Sequence, residues 1–119
     1  MDPWRGATMS DHYYHPDDLK NFSKVGEFQE DLAAKFFEYY GAVFKPGALT
    51  AREKALIALA VAHAVQCPYC IDAYSTACLE KGSNEAQMME AVHVACAIRG
   101  GASLVHGTQM IRHVKKVTI

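Results

Sequence analysis

The sequence lacks an excess of charge of either sign, a membrane-length apolar run and a secretory signal. Its net charge is −1, which provides no positive field for nucleic acid or an anionic membrane. The longest strongly apolar run, residues 55–65 interrupted by His63, is too short to cross a bilayer. Residues 1–6 contain no apolar signal core, as a secretory signal would require. We therefore expect a cytoplasmic protein with no nucleic-acid partner and no membrane partner.

Cysteine is also scarce. Four cysteines in 119 residues are too few for a disulfide scaffold and suit a reducing cytoplasm. Cys67 and Cys70 are separated by two residues, whereas Cys78 and Cys96 form no second pair of this kind. A closed structural zinc site needs four ligands, usually from two such pairs. The spacing favours a redox dithiol with no metal and no cofactor, and zinc binding and plain structural thiols are the open alternatives.

Length and composition indicate one ordinary globular domain. Half of the residues are apolar and 21% are charged, as in soluble domains. Residues 1–15 carry no apolar periodicity, and we expect them to form a flexible N-terminal lead-in. Residues 16–119 are then a single helical domain.

The first half of this domain shows helical spacing of apolar residues. Between residues 19 and 43 they recur in steps of three and four, which predicts helices with one apolar face that packs in a core. The alternative is that part of this aromatic stripe also lines a substrate channel. Gly26 is expected to divide a short helix from a longer one, and Gly41 followed by residues 45–47 is expected to end the longer helix.

The next helix has a clear start. Thr50 and Glu53 fit a capping box, in which each side chain satisfies a free backbone amide of the first turn. Residues 55–65 are then apolar on every side. Such a helix must be buried on all faces, which predicts a central position or burial by a second subunit.

The second half predicts three further helices. Cys67 starts the first of them, because Pro68 suits the first helical position and Gly82 suits a left-handed C-terminal cap. Ser83 and Asn84 are expected to cap the next helix, and Gly100-Gly101 is expected to break it before a last helix over residues 103–116. No strand is indicated. The fold class is all-α, a compact bundle of five to six helices, with a two-helix hairpin that carries the dithiol at its joint.

A thiol at the start of a helix is well placed for redox chemistry. The free amides and the positive dipole end favour a thiolate, which is the nucleophile. We therefore expect Cys67 to attack and Cys70, one turn further in, to close the disulfide. Helix boundaries inferred from sequence shift by a few residues, so the reverse assignment stays open.

Two neighbours are candidate catalytic residues. His63 lies four residues before Cys67, at a helix C-terminus that favours imidazolium, and it could pair with the thiolate; the alternative is a packed core histidine. Tyr74 shares a face with Cys70, and its O–H could donate to a thiolate or a peroxide oxygen; the alternative is packing at the core edge. Packing is the favoured interpretation of the remaining polar candidates, which are Glu90, His93, Cys96 and His106.

Four segments taken together resemble a known family. They are residues 56–62, the Cys67-Pro68-Tyr69-Cys70 motif, residues 86–99 and residues 100–106. Their order is similar to the carboxymuconolactone decarboxylase-like family, closest to its alkylhydroperoxidase-D branch. The resemblance implies an all-helical homo-oligomer, a trimer or hexamer. It also implies reduction of a small-molecule peroxide, with electrons from a dithiol reductant protein or a small thiol. Some relatives carry selenocysteine at the first cysteine position, which supports Cys67 as the attacking residue.

The sequence departs from that branch at two positions. A glutamate usually stands where this chain has Ala55, and a histidine where it has Tyr74. These two residues form the family's proton relay, so only the dithiol carries over. The alternative functions are a non-enzymatic redox-sensing or structural helical oligomer and a decarboxylase-type lactone enzyme.

Overall fold

The computed structural model describes residues 14–118 and contains, within them, helices and no strand. The all-α prediction is therefore confirmed. The lead-in expected at residues 1–15 lies almost entirely outside the described residues. The elements are α1 (Asp17–Lys20), a 3-10 turn (Phe22–Lys24), α2 (Glu30–Phe44), α3 (Ala51–Ala64), α4 (Pro68–Glu80), α5 (Glu85–Val105) and α6 (Gly107–Val117).

The chain divides into two compact units, Met1–Gly47 and Ala48–Ile119. The expectation of a single domain over residues 16–119 stays a prediction. In the first unit, the Phe22 ring meets Phe37 of α2 edge-on, with centroids 5.1 Å apart. A side chain at Gly26 would overlap Ala33, so the close approach of the two segments requires glycine there. The division predicted at Gly26 is confirmed.

Helix α2 ends at Phe44, directly before residues 45–47, as predicted, although it continues through Gly41 without a break. It ends because Lys45 is extended, with φ −69° and ψ 146°, the conformation favoured before a proline. The expectation of a buried apolar stripe is not met within the first unit, because Leu32, Phe36 and Tyr39 are all exposed. Exposed apolar faces of this kind are typical of surfaces that another protein surface covers.

The second unit is built on the predicted hairpin of α3 and α4. Thr50 and Glu53 form the expected capping box, with N···O distances of 2.9 and 3.1 Å. Hydrogen bonds to Thr50 hold the pKa of Glu53 below its ordinary value. Ala55, Leu59 and Cys78 form the buried cluster between the helices. The hairpin prediction is confirmed.

Helix α3 is not enclosed by the other helices of its own unit. It packs against α4 and α5, yet Ile57 and Val61 are 49% and 52% exposed. The expectation that α3 is central or is buried by a second subunit stays a prediction.

Helix α5 begins and ends differently from the prediction. Asn84 is its N-cap, in a capping box with Gln87, while Ser83 belongs to the preceding turn. The helix continues through Gly100-Gly101 to Val105, so the break expected there is wrong. Glycine weakens a helix by about 1 kcal/mol but keeps its backbone N–H, and two such residues do not stop a 21-residue helix.

Helices α5 and α6 together form a helical stretch that is long enough to cross a membrane. The helical stretch Glu85–Val117 has 33 residues and is long and apolar enough, by length and composition, to cross a bilayer. Core helices of soluble proteins pass the same test. The expectation that the protein has no membrane partner therefore stays a prediction.

Candidate redox dithiol site

The joint between α3 and α4 is a tight, hydrogen-bonded turn. The Gln66 N–H donates to the His63 carbonyl (3.2 Å) and the Cys67 N–H donates to the Ala62 carbonyl (3.0 Å). Gln66 adopts a left-handed conformation with φ 58°. This pattern is the Schellman motif, which usually takes glycine at that position. The turn fixes Cys67 directly after α3.

Cys67 is the N-cap of α4, and Pro68 occupies the first turn, as the sequence predicts. The Cys70 N–H donates to the Cys67 sulfur with an N···S distance of 3.3 Å. The helix therefore aims an amide donor and its positive end at this sulfur. The expected position of Cys67 at the start of a helix is thereby confirmed, and its sulfur accepts a backbone N–H there.

The structure brings the two predicted thiols together. Their sulfurs lie 2.7 Å apart, in a thiol–thiol hydrogen bond, and both side chains are free and half-buried. A disulfide bond is about 2.05 Å long, so the sulfurs need to approach by less than about 1 Å. The bond can form without a change in either helix.

The two thiols are not equivalent. Burial, and then the hydrogen bond and charge of Cys67, raise the pKa of Cys70 from 9.0 to about 11. Cys70 thus holds its proton at neutral pH and is suited to a later, resolving step. Burial also raises the pKa of Cys78, which is enclosed in the core, whereas Cys96 is exposed on α5.

His63 lies half-buried in the last turn of α3. Its Nδ1 is 2.8 Å from the Leu59 carbonyl oxygen, so Nδ1 carries a proton and donates along its own helix. The ring is therefore held in a fixed orientation one turn before Cys67. Its pairing with the Cys67 thiolate stays a prediction.

Tyr74 packs against the cluster of Ala55, Leu59 and Cys78. This placement agrees with the alternative interpretation of Tyr74 as a core-edge residue. It also places Ala55 and Tyr74, the two positions at which the sequence departs from the resembled branch, in or against the same apolar cluster.

The described part of the chain contains no group of three or more histidine, cysteine, aspartate or glutamate side chains placed to hold a metal ion. The two sulfurs alone provide half of the ligands that a closed zinc site uses.

One residue at the joint was missed by the sequence analysis. The Arg99 guanidinium, on α5, donates from Nη1 to the carbonyl of Ala64, the last residue of α3. The two residues are 35 positions apart in the sequence. No local motif signals this contact, because it depends on how α5 crosses the hairpin.

The sequence model of the carboxymuconolactone decarboxylase family matches residues 30–112. The chain belongs to the carboxymuconolactone decarboxylase family. That family includes enzymes, and the matched span contains the hairpin, both cysteines of the dithiol and Arg99.

Individual relatives agree with this assignment. A protein of Paracoccus denitrificans, described as uncharacterized protein 4 in cox locus, is 44% identical over 93 residues, or 78% of this chain and 81% of that protein. The crystal structure of a protein from Methanobacterium thermoautotrophicum is similar with a TM-score of 0.68 and 34% identity, over 71% of this chain and 94% of the other. The apo structure of a carboxymuconolactone decarboxylase family protein from Legionella pneumophila is similar with a TM-score of 0.60 and 25% identity, over 87% and 99%.

Proposed function

We propose that this protein is a thiol-dependent peroxidase of the alkylhydroperoxidase-D type, in which Cys67 attacks a hydroperoxide and Cys70 resolves the product. The observation that carries the proposal is the unequal pair of thiols at the start of α4. The Cys67 sulfur accepts a backbone N–H, whereas the pKa of Cys70 is raised to about 11.

The reaction proceeds in three balanced steps. The Cys67 thiolate attacks one peroxide oxygen, the O–O bond breaks, and an alcohol or water leaves once it has gained a proton. This step oxidises Cys67 to a sulfenic acid. The Cys70 sulfur then attacks the Cys67 sulfur, the disulfide forms and water leaves. A dithiol protein or a small thiol reduces the disulfide, and this reductant leaves oxidised.

The leaving alcohol and the attacking thiols need proton donors and acceptors. His63 is our first candidate because it ends α3 one turn before Cys67. Tyr74 is the second, as a hydrogen-bond donor on the Cys70 face. No bound cofactor is needed, since the electrons come from the external thiol.

We further propose that the working form is a homo-oligomer, a trimer or hexamer. Helix α5 supports this, because Ala95 is its buried residue while Val94, Ile98 and Leu104 are 60%, 70% and 80% exposed. Apolar surface of this extent favours association. Light scattering at micromolar concentration should give a multiple of 13.1 kDa, and a monomeric mass would contradict the proposal.

Peroxide consumption with excess thiol reductant tests the proposed activity. Wild type should complete many turnovers and Cys67→Ser none. In a separate assay without added thiol, Cys70→Ser should consume one equivalent of peroxide and stop as a sulfenic acid. Cys96→Ser is the matched control, since Cys96 is exposed and outside the pair, and it should behave as wild type.

The alternative functions predict different outcomes of the same assay. A redox sensor would form one equivalent of disulfide but would not turn over. A lactone decarboxylase would consume no peroxide and would keep its activity in Cys67→Ser. Either result would refute the peroxidase proposal.

A further inference from the structure

The C-terminus of α3 is fully hydrogen-bonded, and one of its donors comes from another helix. The last four carbonyl groups of a helix have no N–H partner within the helix and must accept hydrogen bonds from elsewhere. Here the backbone N–H groups of residues 65–67 serve the carbonyls of residues 61–63. The remaining carbonyl, of Ala64, accepts from Arg99. Arg99 therefore completes the turn that places Cys67 at the start of α4.

Cys67 lies between two helix ends of opposite polarity. The start of α4 is positive and favours a thiolate. The end of α3, three residues before Cys67, is negative and opposes it. A cation bound to the last carbonyl of α3 offsets this opposing field.

Arg99 can supply this positive charge, because few positive side chains lie in this part of the chain. Within residues 55–111 the lysine and arginine residues are Lys81 and Arg99 alone. Lys81 follows the far end of α4, at the opposite end of the helix from Cys67. Arg99 is thus the permanent positive charge of this region that contacts the joint.

We propose that Arg99 is a positioning residue for Cys67, which holds the α3–α4 turn through the Ala64 carbonyl and offsets the negative end of α3 beside the sulfur. The inference rests on the proposed function in one respect, because it takes Cys67 as the attacking thiol. Arg99 acts through the turn and its field, and its role needs no contact with the peroxide.

Other titratable groups belong to the same three helices and must be separated from Arg99 in any experiment. The ones close to Cys67 in the chain are His63 on α3 and Tyr69, Cys70, Asp72 and Tyr74 on α4. Cys96 lies three residues before Arg99 on α5. None of these residues is altered in the variants below except Cys70, which is replaced throughout.

The experiment measures the pH dependence of iodoacetamide alkylation at Cys67 in a Cys70→Ser background. Arg99→Gln and Arg99→Met remove the charge, and the second keeps an unbranched stem. Each should raise the pH midpoint of alkylation by about half a unit, the size expected for one charge at a helix end. At pH 7 the thiolate fraction should fall about threefold and the alkylation rate about twofold, because a thiolate of higher pKa is more nucleophilic. Arg99→Lys keeps the charge but loses the planar fork, so it should shift the midpoint less.

Arg112→Gln is the matched control, because Arg112 is an exposed arginine on α6. Its alkylation midpoint should equal that of the parent. A shift as large as that of Arg99→Gln would show that any lost positive charge has this effect, which would contradict a specific role of Arg99. Circular dichroism and thermal melting verify that each variant is folded. An unchanged midpoint in folded Arg99→Gln and Arg99→Met would overturn the proposal.

A second measurement on the parent protein tests the proposal even if the Arg99 variants do not fold. In the parent protein, raising the salt concentration to about 1 M screens partly exposed charges, and the midpoint should rise. A midpoint independent of salt would also overturn the proposal. Alkylation uses no peroxide, so the two proposals can fail separately. A shifted alkylation midpoint without peroxidase activity refutes only the proposed function. Peroxidase activity with an unchanged midpoint refutes only the role of Arg99.

Discussion

The inequality of the two thiols gives a quantitative prediction for their labelling. The rise in the pKa of Cys70 from 9.0 to about 11 lowers its own thiolate fraction at pH 8 about a hundredfold, to about 0.1%. Thiolates of higher pKa are intrinsically more nucleophilic, which recovers about tenfold of this loss. Cys70 is therefore slowed about tenfold by its surroundings, and we expect iodoacetamide to alkylate Cys67 faster than Cys70 in the reduced wild type, as initial rates from peptide mapping.

The Cys67→Ser variant tests why the pKa of Cys70 is raised. The hydrogen bond and the charge of Cys67 are two of the three effects that raise the pKa of Cys70, and the other is burial. Removing Cys67 should lower the pKa of Cys70 and speed its alkylation severalfold, while exposed Cys96 should react at the same rate in both proteins. Faster labelling of Cys70 than of Cys67 in wild type would refute the assignment of attacking and resolving thiols.

The remaining predictions concern the stability of the hairpin and the pH dependence of the site. Gln66→Gly should raise the free energy of unfolding by about 0.5–1 kcal/mol, because glycine adopts a left-handed conformation without a clash; Gly82→Ala, at φ 91°, should lower it, and denaturant titration measures both. Thr50→Ala should cost about 1 kcal/mol through loss of the capping box, and an unchanged denaturation midpoint would contradict this. Since folded Cys70 holds its proton more tightly than the unfolded chain, its stabilising contribution is present below about pH 9 and lost as the pH rises through about 11; Cys70→Ser should lack this part of the alkaline destabilisation. His63→Ala should raise the pH midpoint of Cys67 alkylation by about one unit if imidazolium supports the thiolate, and an unchanged midpoint would make His63 a packing residue.

The features predicted from the sequence are those governed by neighbouring residues. The capping box at Thr50, proline at the first turn of α4 and the left-handed Gly82 each depend on chemistry within four residues. For the same reason the position of Cys67 at a helix start, and with it the dithiol, could be inferred. The structure adds the distance between the sulfurs and the inequality of the thiols.

The features that were missed depend on contacts between distant segments. Gln66 takes a conformation that sequence rules reserve for glycine, because the two helices on either side fix the turn. Helix α5 continues through Gly100-Gly101, where local propensity indicated a break. Arg99 reaches the end of α3 from another helix, and no spacing rule encodes that contact.

The dithiol spans a single helical turn, and this limits what its oxidation state can communicate. A cross-link restricts the unfolded chain less the shorter the loop it closes, and the loop from Cys67 to Cys70 is very short. The sulfurs already lie within hydrogen-bonding distance, so both oxidation states share one backbone. If the pair cycles as proposed, its oxidation changes the bonding of two sulfurs and leaves the helices in place. Neither half of the proposed cycle would then wait for refolding, and a partner that senses the oxidation state would have to contact the sulfurs themselves.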